Sequence, residues 1–200
     1  RQPDSMNTPT LESERLILRR FTEADIDAIF EIFGDAELNR FLPCYPVKNR
    51  DEAAEFYYNR YASQYGQPCG YRYAITRKCD GRPIGYVNLD VGESHDLGYG
   101  LKREYQRQGY VSEACRALIA RAKSDGVPFV TATHDVNNPA SGYVMRAVGM
   151  KYMYSYEELW QPKNFKVIFR MYQLNLDGNE SWIYRKYWEM YPNHFIETIS

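Results

Sequence analysis

Asp96-Leu97-Gly98-Tyr99-Gly100-Leu101, then Lys102-Arg103-Glu104-Tyr105-Gln106-Arg107-Gln108-Gly109-Tyr110, then Val111-Ser112-Glu113-Ala114-Cys115-Arg116, is the stretch on which the fold turns. Its first part alternates as a strand does. Its second is a charged loop, and its third is a helix opened by Ser112 and Glu113. A helix start carries backbone N–H groups without partners and the positive end of the helix dipole, and a glycine there lets phosphate oxygens approach the main chain closely. A ligand bearing phosphates is therefore expected at residues 108–112.

The rest of the composition makes that anion site a local feature. The chain has 200 residues, 44 % hydrophobic, with a formal net charge of -1 and a pI near 6.4. That length suits one domain with a substantial core, and the charge gives no global field drawing it to nucleic acid or an anionic membrane. Neither is expected as a partner. Cys44, Cys69, Cys79 and Cys115 are scattered, with no C-x-x-C pair and no histidine cluster at ligand spacing, so reduced thiols and no metal are expected. No apolar run approaches the ~20 residues that cross a bilayer, and a cytoplasmic protein is expected. Residues 1–7 are read as a tag or disordered leader, residues 8–178 as the domain, and residues 179–200 as an aromatic helical extension of it.

Residues 14–21 alternate as a strand, and Thr22 with Asp25 nearly forms a capping box for a helix carrying Ile26, Ile29, Phe30 and Phe33, ended by Gly34. Phe41-Leu42-Pro43-Cys44-Tyr45-Pro46 is unusually apolar for a loop, serving as a lid over core or as a substrate lining. Residues 49–65 form a second helix capped at Asn49. Strands 71–77 and 83–90 flank an Asp80-Gly81 hairpin turn. Strand 93–101 precedes helix 112–124. A continuously apolar or small run, 129–133, predicts a central strand. A helix follows with Asn138 as its start and Pro139 at its first position, and strands 151–159 and 166–176 complete about seven. In the tail, Tyr184, Tyr187, Trp188 and Tyr191 fall on one face of a helix, to pack on the sheet or on a second subunit; either a monomer or a homodimer is compatible.

Two motifs bring this order into line with a known family. Gln106-Arg107-Gln108-Gly109-Tyr110-Val111 with Ser112-Glu113-Ala114 is similar to the Q/R-x-x-G-x-G/A loop and helix opening of the GNAT superfamily of acyl-CoA-dependent N-acetyltransferases. His134-Asp135-Val136-Asn137-Asn138-Pro139-Ala140-Ser141, closing on Gly149-Met150, resembles the N-x-x-S helix of its Rim-type branch, which includes enzymes acetylating ribosomal-protein N-termini. The resemblance covers residues 8–175. It implies an α+β, three-layer fold: a mixed, mostly antiparallel sheet with helices on both faces and a V-shaped splay between the fourth and fifth strands. Val111 stands where the family has glycine or alanine, and its β-branched side chain is expected to narrow the approach of the diphosphate.

The resemblance further implies acetyl-CoA as cosubstrate, with its diphosphate on the amides of Gln108, Gly109, Tyr110, Val111 and Ser112. Arg107 and Lys102 are candidates for added charge there, against ordinary surface solvation. Pantetheine would pair with Tyr99, Gly100 and Leu101 as one more strand, and the N–H of Tyr99 or Gly100 would face the thioester carbonyl. Asn138, Ser141 and Met145 would line the pantetheine on the following helix. A base should help, because amines with pKa near 8 to 10 are mostly protonated at neutral pH. Asp96 is the first candidate and His134 the second, while Asp135 suits a turn or cap. The family's tyrosine acid falls at Met145, which cannot donate a proton, and Tyr143 points elsewhere. Ser141, four residues before Met145, is the candidate donor. The acceptor is a primary amine, on a peptide N-terminus or a small molecule, with direct attack in a ternary complex. The alternatives are a non-catalytic acyl-CoA sensor and an interaction module built on the tail.

Overall fold

The structure, a computed structural model, describes residues 7–199. Nine strands are found among them, in two sheets with orders β1-β2-β3-β4-β5 and β6-β8-β7-β9. The first comprises β1 (Leu11–Glu12), β2 (Leu16–Arg19), β3 (Tyr71–Arg77), β4 (Pro83–Leu89) and β5 (Leu97–Leu101), all antiparallel. The second comprises β6 (Phe129–Asp135), β7 (Lys151–Trp160), β8 (Phe165–Asn175) and β9 (His194–Phe195), also antiparallel. The two short strands β1 and β9 raise the count from the expected seven. Each is a two-residue edge addition with too little alternation to read in sequence.

The helices are α1 (Ile26–Phe33), α2 (Arg50–Tyr57), α3 (Tyr110–Ser124), α4 (Pro139–Ala147) and the short α5 (Lys186–Met190). Local chemistry starts them as expected. The amide of Thr22 donates to Asp25 at 2.8 Å in the single 3-10 turn before α1, and the Asn49 side chain accepts from the Glu52 amide at 2.8 Å at the start of α2. Helix α3 begins two residues earlier than its polar opening suggests. Gly109 takes the left-handed conformation, φ +81°, and turns the chain into the helix at once.

Helix α3 lays Ala114, Leu118, Ile119 and Ala122 on one face of the first sheet, against Leu16, Leu18, Ile75, Val87 and Leu97. Helices α1 and α2 cover the opposite face with Ile29, Ile32, Phe33 and Ala53, against Ala74 and Tyr86. That is the expected three-layer order of helix, sheet and helix.

The tail is not the expected amphipathic helix. Only Lys186–Met190 is helical; turns and bends flank it, and further on β9 pairs Phe195 and His194 with Ser155 and Tyr156 of β7. The predicted leader is corrected at its last residue. Residues 1–6 lie outside the described residues, but Asn7 is buried and its side chain donates to the carbonyls of Gln64 and Gln67.

Candidate active site

The two sheets meet at one point, and the site is built around it. An isolated parallel bridge joins Asp96 to Thr131. The Thr131 amide donates to the His95 carbonyl at 3.0 Å, and its hydroxyl to the Ser94 carbonyl at 2.8 Å. Beyond this apex β5 and β6 are not paired, which is the expected splay between predicted strands four and five.

Register decides which groups face the gap. Lys102 donates to the Ile84 carbonyl at 2.8 Å and Asp90 to the Asp96 carbonyl at 2.9 Å, so the even-numbered residues of this edge exchange their main-chain bonds with β4. By antiparallel alternation, the N–H and C=O groups of Leu97, Tyr99 and Leu101 point the other way, into the splay. Gly100 is thereby corrected as an amide donor to the thioester, because its N–H belongs to the pair with Tyr86. It is glycine for another reason: a Cβ there would lie 2.6 Å from the Tyr86 ring.

The start of α3 leaves its first amides unpaired. No main-chain hydrogen bond is made by the amides of Gln108, Gly109, Tyr110, Val111 or Ser112 among the described residues; the first helical bond is Glu113 N–H to the Gly109 carbonyl, 3.1 Å. Val111 packs its side chain against the main core, so the β-branch is directed inward rather than across the cradle. Arg107, exposed and with φ +63°, has no ion-pair partner among the described residues. Lys102 is corrected: it is buried and paired with Glu31 of α1, away from any phosphate.

Arg15 has no sequence signal and proves to be the strut of the loop. Its guanidinium lies over the Tyr110 ring, binds Glu113 at 2.7 Å and donates to the Gln108 carbonyl at 2.8 Å. Glu113 also accepts from Ser13 and from the Arg15 amide, so it ties the turn between β1 and β2 to α3.

On α4, the Asn138 side chain has no hydrogen-bond partner among the described residues and is available to a ligand amide. The Tyr99 phenol reaches across to this helix, 2.8 Å from the Ser141 carbonyl and 2.9 Å from its hydroxyl. With its proton given to the carbonyl, the phenol oxygen accepts that of Ser141. Burial raises the Tyr99 pKa well above the ordinary phenol value. Met145 is 1 % exposed within the main core, and Tyr143 is exposed under Arg146.

Asp96 and His134 lie on opposite faces. Asp96 shares its face with Thr131 across the bridge, and its carboxyl has no hydrogen-bond partner among the described residues. Burial, aided by the Asp90 charge, pushes its pKa up to about 7. Beside it, a side chain at Gly98 would meet no atom within 4 Å, so this face is open. His134 is packed beneath α4 instead. Its Nδ1 lies 2.8 Å from the Asp135 carbonyl, and a Cβ on Gly142 would come within 2.7 Å of its Nε2. Burial lowers its pKa. It lines a cavity of about 220 Å³ with Arg146 and Arg170, apart from the Asp96 face. The apolar loop lines another cavity, of about 600 Å³, with Phe30, Gly34, Tyr45 and Val47.

A splayed edge strand, a helix start with unpaired amides and a three-layer fold follow one another in this order. Residues 15–151 match the acetyltransferase (GNAT) domain, and the chain belongs to that family, which makes it an acyltransferase. It is 29 % identical over 148 residues to the uncharacterized N-acetyltransferase YoaA of Bacillus subtilis (strain 168), covering 72 % of this chain and 83 % of that protein. Its fold is similar to a GNAT-family acetyltransferase from Bacillus anthracis, with a TM-score of 0.74, 18 % identity, and 84 % and 99 % of the two chains covered. A Salmonella typhimurium acetyltransferase that modifies the N-terminal serine of ribosomal protein L7/L12 superposes with a TM-score of 0.70 at 20 % identity, over 84 % and 99 %. The Rim-type likeness thus recurs among solved structures. No helix among the described residues is long and apolar enough to cross a membrane.

Proposed function

We propose that the protein moves the acetyl group of acetyl-CoA to a primary amine, on a peptide N-terminus or a small molecule, by direct attack in a ternary complex. The observation that carries this is the alignment of an unpartnered run of five amides, 108–112, with the free main-chain edge of Tyr99 and a partnerless carboxyl at Asp96. The amides receive the diphosphate, aided by Arg107. The edge of β5 and the Asn138 amide hold the pantetheine. The Tyr99 N–H stabilises the oxygen of the acetyl group as charge develops on it.

Asp96 takes the amine proton. A carboxyl with pKa about 7 is well placed for this at neutral pH, since it is substantially ionised yet basic enough to accept. The nitrogen–carbon bond forms as the carbon–sulfur bond breaks, and the thiolate takes the Ser141 proton, the hydroxyl turning from the Tyr99 oxygen to the sulfur and regaining a proton from solvent. The peptide alternative agrees with the acceptor named for the Salmonella typhimurium neighbour. In Asp96→Asn, turnover is expected to fall about 100-fold or more at pH 7 and much less at pH 9, where the amine loses its proton unaided. An equal loss at both values would assign Asp96 a structural role only.

A further inference from the structure

The family match ends at residue 151, and the segment after β8 lies beyond it. That segment is fastened along its whole length. The Tyr184 amide donates to Gln173 at 2.9 Å, the Tyr154 hydroxyl donates to the Tyr184 carbonyl at 2.6 Å, and Glu197 binds both Ser155 and Arg170. Between these ties Tyr156 of β7 is stacked between Tyr187 and Tyr191, with ring centroids 5.0 Å away on either side.

The face so covered is that of Phe129, Phe169 and Tyr156, and hence of Thr131, two residues along β6 from Phe129. Thr131 is the residue bridged to Asp96. The segment therefore reaches the apex of the splay from one side, as α1 and α2 approach it from the other. A further tie crosses there: Lys186 of α5 binds Glu93, in the turn that leads into Asp96, at 2.6 Å.

We propose that the C-terminal segment is a working part of the transfer site, forming the acceptor-side wall of the cleft, and that Tyr187 is a positioning residue that shields Asp96 from water. This rests on the assignment of Asp96 as the base. The titratable groups whose charge is felt at Asp96 are Asp90, whose amide pairs with the Asp96 carbonyl just beyond β4, Tyr99 on the opposite face of its own strand, Tyr156 of β7, and Tyr184 and Tyr187 of the segment. None is a cation, and Lys186 is held by Glu93. A carboxyl in these surroundings receives a cationic amine, and removing a phenol ring is expected to admit water and lower a pKa that burial and the Asp90 charge hold up.

The test uses the full chain with 13C-labelled aspartate, the Asp96 carboxyl being assigned by its loss in Asp96→Asn. Wild type and Tyr187→Phe are expected to titrate near pH 7. Tyr187→Ala is expected to titrate at least about one pH unit lower, with the KM for the amine raised about 10-fold or more and the Kd for CoA unchanged. Tyr187→Gln keeps the bulk without the ring and is expected to shift the midpoint in the same direction if the alanine variant does not fold. An unaltered midpoint in these variants, or a parallel loss of CoA affinity, would overturn the proposal. A wild-type midpoint near 4 would instead remove Asp96 as the base, and the carboxyl titration is read whether or not any amine is acetylated.

Discussion

Asp96 sets basicity against stability. In the unfolded chain its carboxyl ionises near 3.8, whereas burial holds it protonated to about 7 in the folded protein. Between those values the folded state binds the extra proton, so this group's contribution to stability falls as pH rises from about 4 to about 7 and stays at its lowest above that. Asp96→Asn is thus expected to raise the melting temperature at pH 8 and leave it nearly unchanged at pH 4; a lower Tm at pH 8 would contradict the raised pKa. That an acid stands on the strand beside the splay was legible from sequence. That its pKa is raised was not, because the aromatic residues packed on this side of the apex, Tyr156 and Tyr187, come 60 and more residues further along the chain. Lys102 was illegible for the same reason: in sequence it belongs to a phosphate loop, and in the fold its ammonium turns to Glu31, 71 residues away.

At the scale of elements, the strand-loop-helix unit was legible as a unit because its chemistry is local. Alternation gives β5, glycine gives the turn, and the unpaired amides follow from helix geometry alone. Its boundary slipped by two residues because Ser112 looks like a cap while Gly109 does the capping, through a backbone conformation no polar side chain announces. Gly109→Ala tests this. A side chain at φ +81° costs about 1–2 kcal/mol, and its Cβ would press on Arg15 Nη2 at 3.3 Å. The expected result is a lower Tm and a CoA Kd raised about 10-fold; unchanged CoA affinity would place the diphosphate elsewhere. The C-terminal aromatics had the spacing of a helix face, and only the middle of that run, Lys186–Met190, is helical, while packing on β7 and the pairing of β9 hold the chain on either side of it. Tertiary contacts override a periodic pattern most easily where the pattern is short.

At the scale of the whole molecule, two antiparallel sheets share a single bridge at Asp96 and Thr131, and everything proposed for the reaction converges on that point. In the proposed reaction the first sheet supplies the free edge, Tyr99 and, at Asp96, the base. The start of α3 would supply the phosphate amides, α4 and its cap Ser141 and the Asn138 side chain, and the C-terminal segment the wall. An open edge of this kind invites an added strand, and the pantetheine arm of acetyl-CoA has the length and amides to serve as one. The most direct test is the initial rate of thiol release from acetyl-CoA, measured against a panel of peptides with free N-termini, polyamines and small aromatic amines. Release that depends on both substrates, with intersecting rather than parallel double-reciprocal lines, is the expected result. CoA binding that raises the Tm while no amine in the panel releases thiol would contradict acetyl transfer and leave an acyl-CoA-binding protein.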